Sequence, residues 1–208
     1  MGGFFNAESF IWKPFGYFAD VLILSLLWLL CSLPVITLGA ATTALYDSVA
    51  HGFRYGEKQV YGRFFRTFKT EFLGSIPSTL LWLLVVGGCY WLLRRFIGTA
   101  GGADLSVVAA MAGLVLLTVI SGIGCWVFPV LSRFTFGFVG LNLTALKLSI
   151  ALLPSTLLMS VSLWFCIGVC VRYLVPVFVL PALLILFWSL FTERVFKKYM
   201  PGQDNKEN

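Results

Sequence analysis

Long apolar runs separated by short polar stretches organise this chain. They lie at about Val21 to Tyr46, Leu73 to Leu93, Leu105 to Pro129, Leu148 to Val171 and Tyr173 to Thr192. Each reaches the roughly 20 residues that a helix needs to cross about 30 Å of hydrocarbon. The pattern predicts an all-α polytopic membrane bundle of about five transmembrane helices, formed by a single domain over residues 1–200. A disordered polar tail, 201–208, follows it. Only Arg172 separates the last two runs, which predicts a tight hairpin. The first run is longer than a span requires, and Pro34 with Gly39 would kink it or turn its end out of the membrane.

Composition agrees. Of 208 residues, 59% are hydrophobic and 12% charged, with a mean hydropathy of +0.92. A soluble domain of this size has no core able to hide that much apolar surface. The residues ahead of Val21 carry Lys13 and Pro14 but no small-residue cleavage site after an apolar run, so no cleaved signal is expected. Cys31, Cys89, Cys125, Cys166 and Cys170 all fall in apolar runs and read as small hydrophobes, with neither a disulfide framework nor a metal site. The net charge of +6 comes from cations beside the spans, not from a continuous basic stripe, so membrane topology and anionic lipid explain it and nucleic acid does not.

Lysine and arginine counts give an orientation. With five spans, Arg54, Lys58, Arg63, Arg66, Lys69, Arg133, Lys147, Arg194, Lys197, Lys198 and Lys206 collect on one side, against Lys13, Arg94, Arg95 and Arg172 on the other. The expectation is a plasma-membrane protein with its N-terminus outside and its C-terminus in the cytoplasm. Trp12, Tyr17, Trp91 and Tyr199 fit headgroup-level anchors or ordinary packing aromatics equally well.

Internal similarity is weak but present. Pro77-Ser78-Thr79-Leu80-Leu81 matches Pro154-Ser155-Thr156-Leu157-Leu158, and Cys31 to Val35 resembles Cys125 to Val130. Two parallel copies of a two-helix unit account for this, as does chance matching between apolar segments. Leu27 to Tyr46, reading LWLLCSLPVITLGAATTALY, resembles the signature of the YesL family, bacterial membrane proteins of unknown function. Arg63-Phe64-Phe65-Arg66-Thr67-Phe68-Lys69 and Phe128-Pro129-Val130-Leu131-Ser132-Arg133-Phe134 are similar to later segments of that family. The resemblance implies association with carbohydrate uptake through an ABC transporter, and it brings no catalytic residues with it.

The stretch Asp47 to Glu71 is expected to be a cytoplasmic loop holding an amphipathic helix. Phe64, Phe68 and Phe72 recur at helical spacing with Phe65 beside them, while Arg63, Arg66 and Lys69 supply charge. These residues suit contact with lipid headgroups, the favoured reading because basic and aromatic residues beside a span are common without any partner; docking to a cytoplasmic partner would use the same surface. His51, the sole histidine, reads as a surface loop residue and rules out a two-histidine metal site or a Ser-His-Asp triad within one chain. Neither a GxxxxGK[ST] nor a GxGxxG loop occurs, so any ATP would be handled by another subunit.

Ionisable residues are missing from the runs away from their ends, which argues against an ion-driven carrier. Asp20, at the edge of the first run, reads as a solvated carboxylate. The membrane polar groups are small or hydroxyl-bearing: Thr37, Gly39, Thr42 and Thr43 after Pro34, Ser78 and Thr79 in the second run, Ser155 and Thr156 in the fourth. They serve close helix packing or line a path for a polar uncharged solute. No catalytic, cofactor or metal site is expected. The sequence thus leaves two functions open: an accessory or assembly subunit bound to a sugar ABC permease, or a stand-alone transporter or channel working as a homo-oligomer.

Overall fold

The computed structural model describes residues 6–55, 59–99, 103–134, 137–173 and 175–199, and among them secondary structure is entirely helical. Seven α-helices follow in order: α1 (Asn6–Ser32), α2 (Leu38–Ala50), α3 (Val60–Thr99), α4 (Ala103–Arg133), α5 (Phe138–Ala151), α6 (Leu153–Arg172) and α7 (Leu180–Tyr199). Short 3-10 turns at Val35–Thr37 and Val175–Phe178 precede α2 and α7, and a π-helical turn, His51–Tyr55, ends α2. The tail 201–208 and the side chains of Trp12, Tyr17 and Tyr199 lie outside what is described.

The all-α bundle agrees with the sequence, but its first run is not one span. Pro34 disfavours helical geometry at Leu33 and has no amide to donate, so α1 stops at Ser32. The Thr37 hydroxyl then caps the break by donating to the carbonyls of Cys31 and Pro34. Beyond it α2 folds back: the Trp28 indole, near the end of α1, donates to Thr42 near the start of α2 at 3.2 Å. At the other end of this hairpin the Tyr61 hydroxyl, at the start of α3, donates to the carboxylate of Asp20. Asp20 and the start of α3, expected on opposite sides of the membrane, therefore share one end of the bundle. Asp20 is accordingly a hydrogen-bonded carboxylate in the middle of a helix, not a solvated one at its start.

Helix α3 contains 40 residues, roughly 60 Å at 1.5 Å per residue, about twice the hydrocarbon thickness. The uncharged part, Phe72 to Leu93, is the portion suited to the bilayer, so the turns carrying Arg63, Arg66, Lys69 and Glu71 continue the span beyond it. The expected separate amphipathic helix is thus the first part of the second span. At the far end, Arg95 sits over the exposed ring of Trp91 at 5.4 Å, as an interfacial aromatic would be.

Further boundaries differ from expectation: the last helix begins at Leu180, after the Val175–Phe178 turn, and not at Tyr173 in a tight hairpin. The stretch before the fourth run, taken as loop, forms α5, and the chain breaks at Leu152 before α6 begins at Leu153. Thr156 staples this break, donating to the carbonyls of Ser149 and Leu152. Among the described residues α3, α4 and α6 are long and apolar enough to cross a membrane, and Phe18–Ser32 and Phe138–Ala151 are shorter apolar helices. The matched prolines occupy unmatched positions: Pro34 lies in a break but Pro129 inside α4, Pro77 inside α3 but Pro154 in the first turn of α6. Sequence similarity there does not become a repeated two-helix unit.

Packing explains the small residues. A Cβ built on Gly39 would lie 1.8 Å from Thr79 Oγ1, so α2 and α3 touch backbone to side chain at that point. Gly122 meets Thr156 and Ser160 in the same way across α4 and α6. The Trp126 indole, fully buried, donates to Thr156 Oγ1 at 2.9 Å. Trp126→Phe removes that bond and three buried ring atoms, and is expected to lower stability by about 2 kcal/mol, measured as the shift in thermal unfolding in mild detergent.

Candidate functional site: a buried ion cluster and an apolar cavity

The end of the bundle that holds the start of α3 contains the most concentrated polar chemistry in the described structure. Asp47 lies in the last turn of α2, one turn before His51, and is only 5% exposed. Because α3 packs antiparallel to α2, Arg63 and Thr67, one turn apart, both face it. Arg63 Nε donates to Asp47 Oδ2 at 2.9 Å and Thr67 Oγ1 donates to the same oxygen at 2.6 Å. Arg63 Nη2 lies 2.9 Å from His51 Nε2. A guanidinium cannot accept, so Nε2 contributes its lone pair and the proton sits on Nδ1, which faces the Asp47 carbonyl at 2.9 Å and carboxylate at 3.1 Å.

Burial raises the Asp47 pKa, but hydrogen bonds from His51 and Thr67 and the Arg63 charge outweigh it and hold the carboxyl at about 2. For His51, burial opposes the imidazolium while Asp47 favours it, and the net shift is upward. Protonating Nε2 would set two donors face to face, so acid is expected to separate His51 from Arg63. The Asp47 shift has a definite sign in stability. A carboxyl depressed in the folded state adds stability above its unfolded value near 4 that disappears as pH falls through about 2. At roughly 1.4 kcal/mol per unit this is about 2–3 kcal/mol. The difference in stability between wild type and Asp47→Asn should therefore shrink by that amount between pH 5 and pH 2, followed by thermal unfolding at each pH.

A second ion pair abuts the first. Arg133, at the end of α4, donates from Nη2 to Glu193 Oε1 of α7 at 2.8 Å. Tyr46, the neighbour of Asp47, donates to the same carboxylate at 3.3 Å and shares a short hydrogen bond with Thr192. Tyr46, Thr192 and Glu193 are each 2% exposed or less. One stretch of α2 thus ties three other helices together through buried charge.

These residues were missed in the sequence, where His51 read as a surface residue and Asp47 as the start of a loop. A local signal existed: Asp47 and His51 are one helical turn apart, and Ala44, Leu45, Val49 and Ala50 around them continue an apolar helix. The expected contact residues divide. Arg63 is in the ion cluster, and Phe64, fully buried in the core with Leu24, Leu45 and Val60, is no lipid or partner contact. Phe68 and Phe72 are half-buried, each ring against its neighbour a turn away. Phe65, Arg66 and Lys69 are exposed.

A cavity of about 650 Å³ lies deeper in the bundle, among α1, α2, α3, α4, α6 and α7. Of the hydroxyl and small residues singled out from the sequence, Thr42 and Thr79 line it. Their hydroxyls donate to backbone, to Leu38 O and Ser75 O, both at 2.7 Å. Thr43 donates to Gly39 O and Ser78 accepts from Asn142. Pro34 and Ser155 lie away from the cavity wall.

A bundle of apolar helices that buries the Asp47–Arg63 and Arg133–Glu193 pairs at one end defines an all-α membrane protein. Residues 21–95, from α1 through the span in α3, match the family model described as "Protein of unknown function, DUF624". The resemblance to the YesL family, a DUF624 family, is thereby shown for the segment that carries its signature. No curated protein and no solved structure matches the chain.

Proposed function

We propose that this protein is a non-enzymatic membrane accessory or assembly subunit, and that its partner is the permease of a carbohydrate ABC transporter. The observation that carries the accessory reading is the fate of the hydroxyl groups: those facing the cavity already donate to backbone, which leaves little with which to pass a sugar. This disfavours the alternative, a stand-alone channel or transporter for a polar uncharged solute. The choice of a sugar permease rests on the resemblance described above. Phe65, Arg66 and Lys69, exposed beyond the bilayer portion of α3, are the docking surface in this reading. Mild-detergent purification of the tagged chain from its native membrane, followed by mass spectrometry, should recover a stoichiometric permease and its ATPase. Alanine at Phe65, Arg66 and Lys69 should abolish recovery while leaving the fold intact. A clean homo-oligomer that moves solute in liposomes would reverse the conclusion.

We also infer that both termini are cytoplasmic. With α2 folded back, the part of α1 that carries Lys13 lies at the same end as Arg63, Arg66, Lys69, Arg133 and Arg194, whereas Arg94, Arg95 and Arg172 lie at the other. Positive charge favours the cytoplasmic side. Tags at either terminus should resist protease in right-side-out vesicles and become cleavable when the vesicles are inverted. Cleavage of the N-terminal tag in right-side-out vesicles would restore the opposite-sides topology.

A further inference from the structure

We propose that the central cavity is a binding site for one hydrocarbon chain of a membrane lipid, admitted sideways from the bilayer. Its volume, about 650 Å³, falls within the range of roughly 300–1,000 Å³ common to small-ligand sites. Its chemistry selects the ligand. Four tryptophans face it, and each indole N–H is already engaged with a group of the protein: Trp28 with Thr42, Trp82 with Asn142, Trp164 with Ser121 and Trp188 with Ser162. The rings therefore offer their hydrocarbon faces and no spare donor. Among the described residues no charged side chain lines the wall. A sugar or other polar solute entering here would lose its water without regaining hydrogen bonds, whereas a methylene chain loses nothing.

An entrance from the lipid side is present. Leu83 of α3 and Ile167 and Val171 of α6 belong to the wall and are also strongly exposed apolar side chains, Val171 at 84%. The inner wall is thus continuous with the apolar outer surface of α3 and α6, the surface that faces hydrocarbon when these helices span a bilayer. An unfilled apolar space forfeits contacts on every side, and water gains too few partners there to fill it. A lipid chain is the one apolar occupant always at hand. At depth it would meet Trp188, which is 4% exposed and out of reach of lipid that stays outside.

The test uses the whole chain in vesicles of phosphatidylcholine brominated at mid-chain, with unbrominated vesicles as reference. Bromine quenches tryptophan only on close approach. The emission lost on replacing Trp188 with phenylalanine should belong to the quenched fraction, because a chain in the cavity lies against that ring. If that emission is unquenched, the chain does not enter and the proposal fails. Native mass spectrometry of the protein from mild detergent gives a second reading. Cys170→Phe fills the cavity beside the entrance and should lower retained phospholipid by about fivefold or more. Cys89→Phe, on α3 but off the wall, should not. Equal retention in the two variants would overturn the proposal. If Cys170→Phe fails to fold, the quenching measurement, which needs no filled cavity, still decides.

Discussion

Asp47→Ala is expected to destabilise the protein by about 3–5 kcal/mol, the cost of breaking a buried ion pair by removing one member. Arg63 is only 9% exposed at its side chain and would lose the acceptor that holds its Nε. His51 and Thr67 lose the same carboxylate, so the junction of α2 with α3 should loosen as a unit. Asp47→Asn keeps an acceptor oxygen and should cost less. The informative comparison is the double variant Asp47→Leu with Arg63→Met. If the harm comes from breaking the buried pair, removing both charges should recover most of the lost stability, because an apolar pair of similar size avoids desolvating either ion. Thermal or denaturant unfolding in mild detergent gives the numbers. A drop under about 1 kcal/mol, the value of an exposed pair, would mean that the cluster is solvated and does not hold the hairpin.

Gly39→Val should also be damaging, for a steric reason. A Cβ at position 39 would sit 1.8 Å from Thr79 Oγ1, with Thr79 Cβ at 3.1 Å and a ring carbon of Phe128 at 3.4 Å. The Thr79 hydroxyl can rotate away only by giving up its bond to Ser75 O, and Thr79 Cβ is fixed to α3, so relief comes from a lost hydrogen bond or a shift of α2. Overpacking of this kind costs about 1–3 kcal/mol or more. Thr79→Ala removes the hydroxyl that clashes first, so Gly39→Ala combined with Thr79→Ala should be more stable than Gly39→Ala alone. If the second change gives no rescue, the two helices do not approach as closely as described.

How much of this was visible beforehand depends on the range of the interaction. Helix content and membrane character follow from the length and polarity of each run, which are local properties. The reversal at Pro34 is not local. One helix crossing the membrane and a hairpin whose arms lie side by side have the same composition, and Trp28 with Thr42 or Asp20 with Tyr61 distinguishes them only after folding. The ion pairs escaped for the same reason, since Arg133 and Glu193 are 60 residues apart. Phe64 and Phe65 show the limit of periodicity. Helical spacing put Phe64, Phe68 and Phe72 on one face correctly, but could not say that this face meets protein, while Phe65 looks outward.

Ser25 of α1 accepts a hydrogen bond from the Ala182 amide and reaches the Val179 carbonyl, which joins the first helix to the beginning of the last. Tyr46 depends on the last helix as well, through Thr192 and Glu193. A ribosome delivers the chain from its N-terminus, so α1 to α3 are made long before α7 exists. The Asp47–Arg63 pair can close at once within that early product, but Ser25 and Tyr46 must wait for the final helix. A truncated or stalled chain would therefore display unsatisfied polar groups on an otherwise apolar hairpin, a mark by which quality-control proteases could tell unfinished molecules from finished ones.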